Sequence, residues 1–414
     1  MDFSDEDPRR ARVRAWIEAN PEPTPRQLAE AGWVAPHWPR PWGLDADPMD
    51  QLLIDDEFAA AGIEMPHNGI AIGWAGPTII HAGSAAQKER YLPPMLTGEE
   101  IWCQLFSEPD AGSDLARLAT RAVRDGDHYI VNGTKIWSSG AHQSKFGILI
   151  ARTDPDVAKH QGISYFICPM DAPGIELRPI IDMTTAHSFN QIFFTDVEIP
   201  VANRIGGEGD GWRLARVTLG NERVSLSGEG CLWGNGPTAT DLVDLVRESG
   251  GVDDPVLRAR LARVFIEGEV LRLIRLRTVA ARLKGAEPGP EASVRKALAD
   301  DHGQNVMRLA KDLSGASGML TDAGPVGTSA TDVWVHAGAK ATGNTSADGA
   351  SPSIVDVRMD EWHYGFLFSS ALTIGGGTAE VQRNIVAERV LGLPRDFHVE
   401  SGLTWAEARA ADRV

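Results

Sequence analysis

Trp102-Cys103-Gln104-Leu105-Phe106-Ser107-Glu108-Pro109-Asp110-Ala111-Gly112-Ser113-Asp114 is the stretch on which the fold turns. The run Ile101 to Phe106 reads as a strand that delivers the backbone to a turn at Glu108-Pro109. Ala111-Gly112-Ser113 then lets that backbone approach a ligand closely. Its N–H groups and the hydroxyls of Ser107 and Ser113 suit the edge of a heteroaromatic ring or a phosphate. Taken alone, a structural loop and turn is the simpler account.

The texture of the chain changes at this segment. Before it the sequence reads as helical. Thr24 is an N-cap ahead of Pro25-Arg26-Gln27-Leu28-Ala29-Glu30, and Asp50 to Ala61 is a second helix. Ala85 to Leu92 is a third, bounded by Gly83-Ser84 and Pro93-Pro94. After it come short strands: Leu118–Val123, Tyr129–Asn132, Lys135–Ser138, Phe146–Ala151, Ile163–Cys168 and Gln191–Phe194. Turns at Asp125-Gly126-Asp127, Asn132-Gly133 and Ala172-Pro173-Gly174 separate them, the pattern of a sandwich or barrel ending near Pro200. Helical patterning returns from Gly209, in Trp212–Gly228, Pro255–Gly285 and Glu291–Leu313. A Gly/Ala/Ser/Thr-rich stretch at 321–353 reads as a surface loop, and a last helix, Thr378–Leu391, stops at Gly392-Leu393-Pro394. Three domains follow from this order, at 1–100, 101–206 and 207–414.

Two further segments carry chemistry. In Asn132-Gly133-Thr134-Lys135-Ile136-Trp137-Ser138-Ser139-Gly140, Asn-Gly reads as a hairpin turn. The strand after it puts Trp137 and Ser139 on one face, an aromatic surface beside a hydroxyl that suits a planar cofactor. A core tryptophan accounts equally for Trp137 alone. In Gly375-Gly376-Gly377-Thr378-Ala379-Glu380, three glycines feed a helix whose N-cap is Thr378, a start that favours an anion. An ordinary glycine loop before a surface helix is the alternative.

The 414 residues carry 40 basic and 57 acidic side chains, a net charge of −17, which argues against nucleic-acid binding. No stretch approaches the 18 or so apolar residues of a membrane span, and the acidic start is unlike a signal peptide; a cytoplasmic protein is expected. Cys103, Cys168 and Cys231 are scattered and read as small buried hydrophobes. No metal site is expected, for the histidines show no ligand spacing. HExxH, GxSxG and P-loop motifs are missing, and Gly207-Glu208-Gly209-Asp210-Gly211 lacks the GxGxxG spacing.

Taken in order, the three segments resemble the FAD-dependent acyl-CoA dehydrogenase family, bacterial type, across about residues 50–395. The fold this implies is α+β and multidomain: an N-terminal helical domain, a middle β-barrel domain and a C-terminal helical bundle. The resemblance further implies that Gln104, Phe106, Ser107, Gly112 and Ser113 line FAD, with Ser113 also near the CoA chain. Trp137, Ser138 and Ser139 would sit at the isoalloxazine, and Thr378 and Glu380 at the adenosine or pyrophosphate, often across a subunit interface.

The sequence departs from the family at the base. Where the commonest branch carries a catalytic glutamate, this chain has Gly376, whose backbone N–H is expected to polarise the thioester carbonyl. A second base position in the family matches Thr218-Leu219-Gly220-Asn221-Glu222-Arg223-Val224, which makes Glu222 the candidate. Leu219 and Leu226 stand at i−3 and i+4 from it, so its carboxylate borders an apolar face that would raise its basicity. An exposed or ion-paired helix glutamate is the plain alternative. Arg223 matches a family arginine near CoA, or pairs with a carboxylate. The family's flavin-binding run in the C-terminal bundle is not recognisable around Arg282 and Gly289–Lys296, nor is its glycine loop in 321–353.

The expectation is therefore α,β-dehydrogenation of an acyl-CoA thioester to the trans-2-enoyl-CoA. Glu222 would take the α-proton, flavin N5 would accept the hydride, and an electron-transferring flavoprotein would receive the electrons. The glycine triplet suggests room for a branched or ring-bearing acyl group, as in fatty acid or sterol side-chain breakdown. The chain would work as a homo-oligomer or as a heterotetramer with a related chain. Two alternatives stay open: a non-catalytic or half-catalytic subunit of a hetero-oligomer, and a flavin oxidase or monooxygenase on the same fold.

Overall fold

Prolines and short polar caps set where the first helices begin. Asp7, Thr24 and Asp47 each accept a backbone N–H from the first turn of a helix that starts on proline. Thr24 with Gln27, and Ser84 with Gln87, form complete capping boxes. The computed structural model describes residues 7–66, 68–184, 186–225, 230–248, 251–283, 289–315, 354–395 and 400–411. Its N-terminal helices are α1 (Pro8–Ala19), α2 (Pro25–Glu30), α3 (Pro48–Ala61), α4 (Gly76–Ala82) and α5 (Ala85–Thr97), with a π-helical turn at Ala71–Ala75. The expected stop of α5 at Pro93-Pro94 is corrected, since the helix continues through both prolines. Tyr91, Leu92, Met95 and Leu96 are buried on that helix, and their packing outweighs the two missing backbone donors.

The middle of the chain folds into β1 (Trp102–Leu105), β2 (Arg121–Asp125), β3 (His128–Ser139), β4 (Phe146–Arg152), β5 (Ile163–Pro169), β6 (Ile175–Ile181), β7 (His187–Pro200) and β8 (Arg204–Ile205). They make one eight-stranded mixed sheet in the order β6-β7-β3-β2-β4-β5-β8, with β1 parallel to β4. Alternation along the strands separates two cores. Cys103, Leu105, Tyr129, Val131, Leu149, Phe166, Ile192 and Ile199 pack together inside the sheet, although their strands lie far apart in its order. That convergence is what a barrel interior requires. On the other face Trp102, Phe106, Ile148, Tyr165 and Ile167 pack against Ile79, Leu92, Met95 and Leu214 of the helices.

Several strand readings are corrected. Tyr129–Asn132 and Lys135–Ser138 form one strand, β3, and Asn132-Gly133 is a register shift against β7 instead of a turn. Asn132 spends its amide across the sheet, donating to Asp196 Oδ1 at 2.9 Å and accepting Asp196 N–H at 3.0 Å. The hairpin turn is Asp125-Gly126-Asp127, where Gly126 takes φ 59°. Leu115–Arg117 is a 3-10 turn, and the strand expected from Leu118 begins at Arg121. β6, which alternates polar and apolar residues around Pro179, was not foreseen.

Helices α6 (Gly211–Ser225), α7 (Ala239–Glu248), α8 (Pro255–Leu283), α9 (Glu291–Ser314), α10 (Ile354–Phe368), α11 (Ala379–Ile385) and α12 (Trp405–Ala411) complete the chain. Leu232, Leu242, Val264, Val306, Met307, Trp362 and Phe368 share a third core. The expected helix Thr378–Leu391 is α11 followed by a π-helical turn, Val386–Val390. The 321–353 segment and Leu226–Gly228 lie outside the described residues. All three cysteines are free and buried. Among the described residues no helix is long and apolar enough to cross a membrane.

Candidate functional site

The Ser107–Asp114 loop is built around one buried ion pair. Glu108 and Ala111 exchange backbone hydrogen bonds of 3.1 Å, which closes the turn over Pro109 and Asp110. The Glu108 carboxylate accepts from Ala119 N at 2.7 Å, Thr120 N at 2.9 Å and Lys135 Nζ at 2.9 Å. Lys135 is fully buried and donates also to the Phe106 carbonyl at 2.9 Å. Burial pushes the Glu108 carboxyl up, but Lys135 and the Thr120 and Ala119 donors outweigh it and hold it below the usual carboxylate range. The Ile136 N–H donates to the Ser107 carbonyl at 2.9 Å. Two segments of the expected site are thereby locked together, with Ser107 half-buried and Gly112 and Ser113 exposed beside open space.

Gln104, the other polar end of β1, reaches the expected base. Cys103 and Leu105 turn into the barrel, so Gln104 faces the helices. Its Nε2 donates to Glu222 Oε2 at 3.3 Å. Glu222 is 7% exposed on α6, so it is not a solvated surface carboxylate. One turn earlier, Thr218 Oγ1 lies 2.8 Å from Thr78 Oγ1 and 2.9 Å from the Tyr165 hydroxyl, and donates to the Leu214 carbonyl at 3.2 Å. This fully buried hydroxyl cluster pins α6 to α4 and β5, and so fixes the turn that carries Glu222. Arg223 lies on the same helix; its side chain is outside the described residues, as is that of Arg282.

Trp137 stands on β3 with φ 61°, and 58% of it is exposed. A left-handed tryptophan with an uncovered ring marks strain that the surroundings sustain. Its edge contacts Phe189 at 5.9 Å. Ser139 is half-buried, whereas Ser138 is buried and its Oγ has no partner. Sequence reasoning missed what surrounds Ser138. Asn190 Nδ2 donates to its carbonyl at 3.1 Å and also meets His142, while His187 stacks on His142 at 4.0 Å. Spacing could not flag that pair, because the two rings come from a turn and a distant strand.

The glycine segment is held from inside. Gln382 is fully buried, and its Nε2 donates to the carbonyls of Gly376 and Gly377, each at 3.3 Å. No acceptor among the described residues takes the N–H groups of Gly376, Gly377 or Thr378. Gly376 has φ 65°, a conformation glycine adopts freely and residues with a side chain rarely do. A Cβ on Gly375 would meet the Trp233 ring at 2.5 Å. Thr378 caps α11 through Val381 N at 3.2 Å, and Glu380 is exposed beside Arg383. Helix α9 packs against both α6 and α11, and its Gln304 and Lys296 donate to the Ser369 and Leu372 carbonyls. The structure therefore brings Gln104 and Glu222 together directly, and joins the Gly376 segment to them through α9.

Comparison with known proteins gives matches to three family models. They are the acyl-CoA dehydrogenase N-terminal domain at residues 2–99, the middle domain at 103–197 and the C-terminal domain at 209–391. Acyl-CoA dehydrogenase IpdE1 of Mycobacterium tuberculosis is 36% identical over 385 residues, covering 92% of this chain and 88% of that protein. Acyl-CoA dehydrogenase FadE34 of the same organism is 38% identical over 370 residues, 89% of this chain. The chain spans only 46% of that relative's length. Among solved structures, the Tcur3481-Tcur3483 steroid ACAD has a TM-score of 0.72 at 29% identity, covering 94% of this chain and 97% of that one. The ChsE4-ChsE5 complex from Mycobacterium tuberculosis has a TM-score of 0.71 at 31% identity, covering 96% and 100%.

Proposed function

The chain belongs to the acyl-CoA dehydrogenase family, and from that premise we propose that it dehydrogenates an acyl-CoA thioester between its α and β carbons, with Glu222 as the base. The observation that carries this reading is the contact between Gln104 and Glu222, which sets a buried carboxylate against the strand leading into the Ser107–Ser113 loop. Glu222 takes the α-proton onto its carboxylate, and the Gly376 N–H is free to hold the thioester oxygen as negative charge builds there. The product is the trans-2-enoyl thioester.

The residues present fit FAD. An uncovered aromatic face at Trp137, an unpartnered buried hydroxyl at Ser138 and the free N–H groups of Gly377 and Thr378 suit a planar, polar-edged, anionic cofactor. When bound, FAD supplies the acceptor for the β-hydride and passes the electron pair on to an electron-transferring flavoprotein. Gln104, Phe106, Ser107, Gly112 and Ser113 would hold it with Trp137, Ser138, Ser139, Thr378 and Glu380. Ser113 and Arg223 would meet the CoA moiety.

Similarity to a steroid ACAD, with no side chain at Gly376, favours a ring-bearing or branched acyl group. A second reading, a subunit working beside a related chain, is favoured by the uncovered apolar row Ile266, Val270 and Leu273 on α8. Replacing the base tests the main reading. Glu222→Gln keeps a partner for Gln104, so FAD uptake should match wild type while dehydrogenation falls by roughly 10²–10⁴-fold. Dehydrogenation at the wild-type rate would remove Glu222 from the mechanism.

A further inference from the structure

Among the described residues, the hydrogen bonds and ion pairs that segment 400–411 makes outside itself go to the middle domain. It lies against the middle domain, behind the Ser107–Asp114 loop. Trp405 N and Ala406 N donate to the Val157 and Pro155 carbonyls at 2.8 and 3.0 Å, and Trp405 Nε1 donates to the Arg117 carbonyl at 3.3 Å. The Arg152 guanidinium stacks over the Trp405 ring at 4.9 Å, while its Nη2 donates to the Ala116 and Leu118 carbonyls at 2.6 and 3.3 Å. Glu400 meets Lys159 at 2.7 Å and Arg117 at 3.5 Å, and Lys159 in turn meets Asp114 at 2.7 Å. The side-chain contacts end on residues 114–118 or on Arg152 and Lys159, which hold them, while the two backbone bonds dock the segment on residues 155–157. Asp114 directly follows Ser113.

We propose that Trp405 and Glu400 are positioning residues for the cofactor loop, α12 bracing residues 114–118 from behind so that the Gly112-Ser113 backbone is presented in one arrangement. Two cavities of about 240 Å³ flank this brace and share Asp110, Arg117 and Arg409. The inference rests on the reading of that loop as a flavin site.

Its test separates the two claims. Trypsin cleaves after arginine, so the bond between Arg117 and Leu118 reports on the brace in the flavin-free chain. Trp405→Ala should speed cleavage there about tenfold, the effect of losing one hydrogen bond and the partly desolvated cation–π contact with Arg152. Cleavage within α6, at Arg213 and Arg216, should not change. The dissociation constant for FAD should rise by a similar factor. Trp405→Phe, which keeps a ring under Arg152 but has no N–H, should restore part of both. If Trp405→Ala does not fold, Glu400→Gln at the start of the segment should still weaken FAD binding and loosen the loop. Wild-type cleavage at Arg117 together with wild-type FAD affinity in these variants would overturn the proposal. So would faster cleavage with unchanged FAD affinity. A wild-type chain that binds no FAD, with cleavage still governed by Trp405, would uphold the brace and contradict the flavin reading instead.

Discussion

The ion pair between Glu108 and Lys135 shows how much one residue can hold. Three further contacts converge on the pair, from the Ala119 and Thr120 N–H groups to the carboxylate and from the Lys135 ammonium to the Phe106 carbonyl. Removing one partner of such a pair leaves an uncompensated buried charge. Glu108→Gln should cost about 3 kcal/mol in chemical denaturation at neutral pH. The folded carboxyl lies below its ordinary value of 4.5, so its stabilisation is complete above that pH and is lost as pH falls through the lower folded value. The gap between variant and wild type should accordingly narrow below pH 4.5; a gap independent of pH would show that Glu108 is not ionised in the fold. The sequence marked Glu108-Pro109 as a turn and Asn132–Gly140 as a separate ligand segment. That Lys135 reaches back across 27 residues to close the turn is a fact of tertiary structure, which neither spacing nor composition carries.

At the scale of the element, α6 was legible in outline. Its period and the leucine at i−3 placed Glu222 at an apolar border, and the side chain is buried there. The hydroxyl cluster that fixes the helix was not legible, because Thr78, Tyr165 and Thr218 come from three separate elements. Thr218→Val would leave the Tyr165 and Thr78 hydroxyls short of a partner in a dry core, at a cost of roughly 1–3 kcal/mol. It should also slow dehydrogenation, since Glu222 lies one turn further along, whereas Thr218→Ser should restore both. Equal rates in the valine and wild-type chains would separate the cluster from the base. The misread elements have the same origin. α5 runs past its prolines because its buried face is worth more than the lost donors, and β3 runs through Asn132-Gly133 because Asn132 bonds across to Asp196. Local rules yielded to packing and cross-strand pairing in both places.

For the whole molecule, the order of helices, strands and helices could be read from the change of period at residues 101 and 209, and the architecture has that order. The docking of residues 400–411 on the middle domain had no sequence signal, since Trp405 alone looks like any amphipathic helix residue. What joins the parts is the claim that β1, α6 and the Gly376 segment form one centre for an acyl-CoA and FAD. The most direct test is the visible spectrum and FAD-to-chain ratio of the purified protein, followed under anaerobic addition of acyl-CoA thioesters, ring-bearing ones included. The account predicts one FAD per chain and loss of flavin absorption with at least one thioester, abolished by Glu222→Gln. A chain that takes up no FAD even beside a related subunit, or a loaded chain whose absorption no thioester changes, would contradict it.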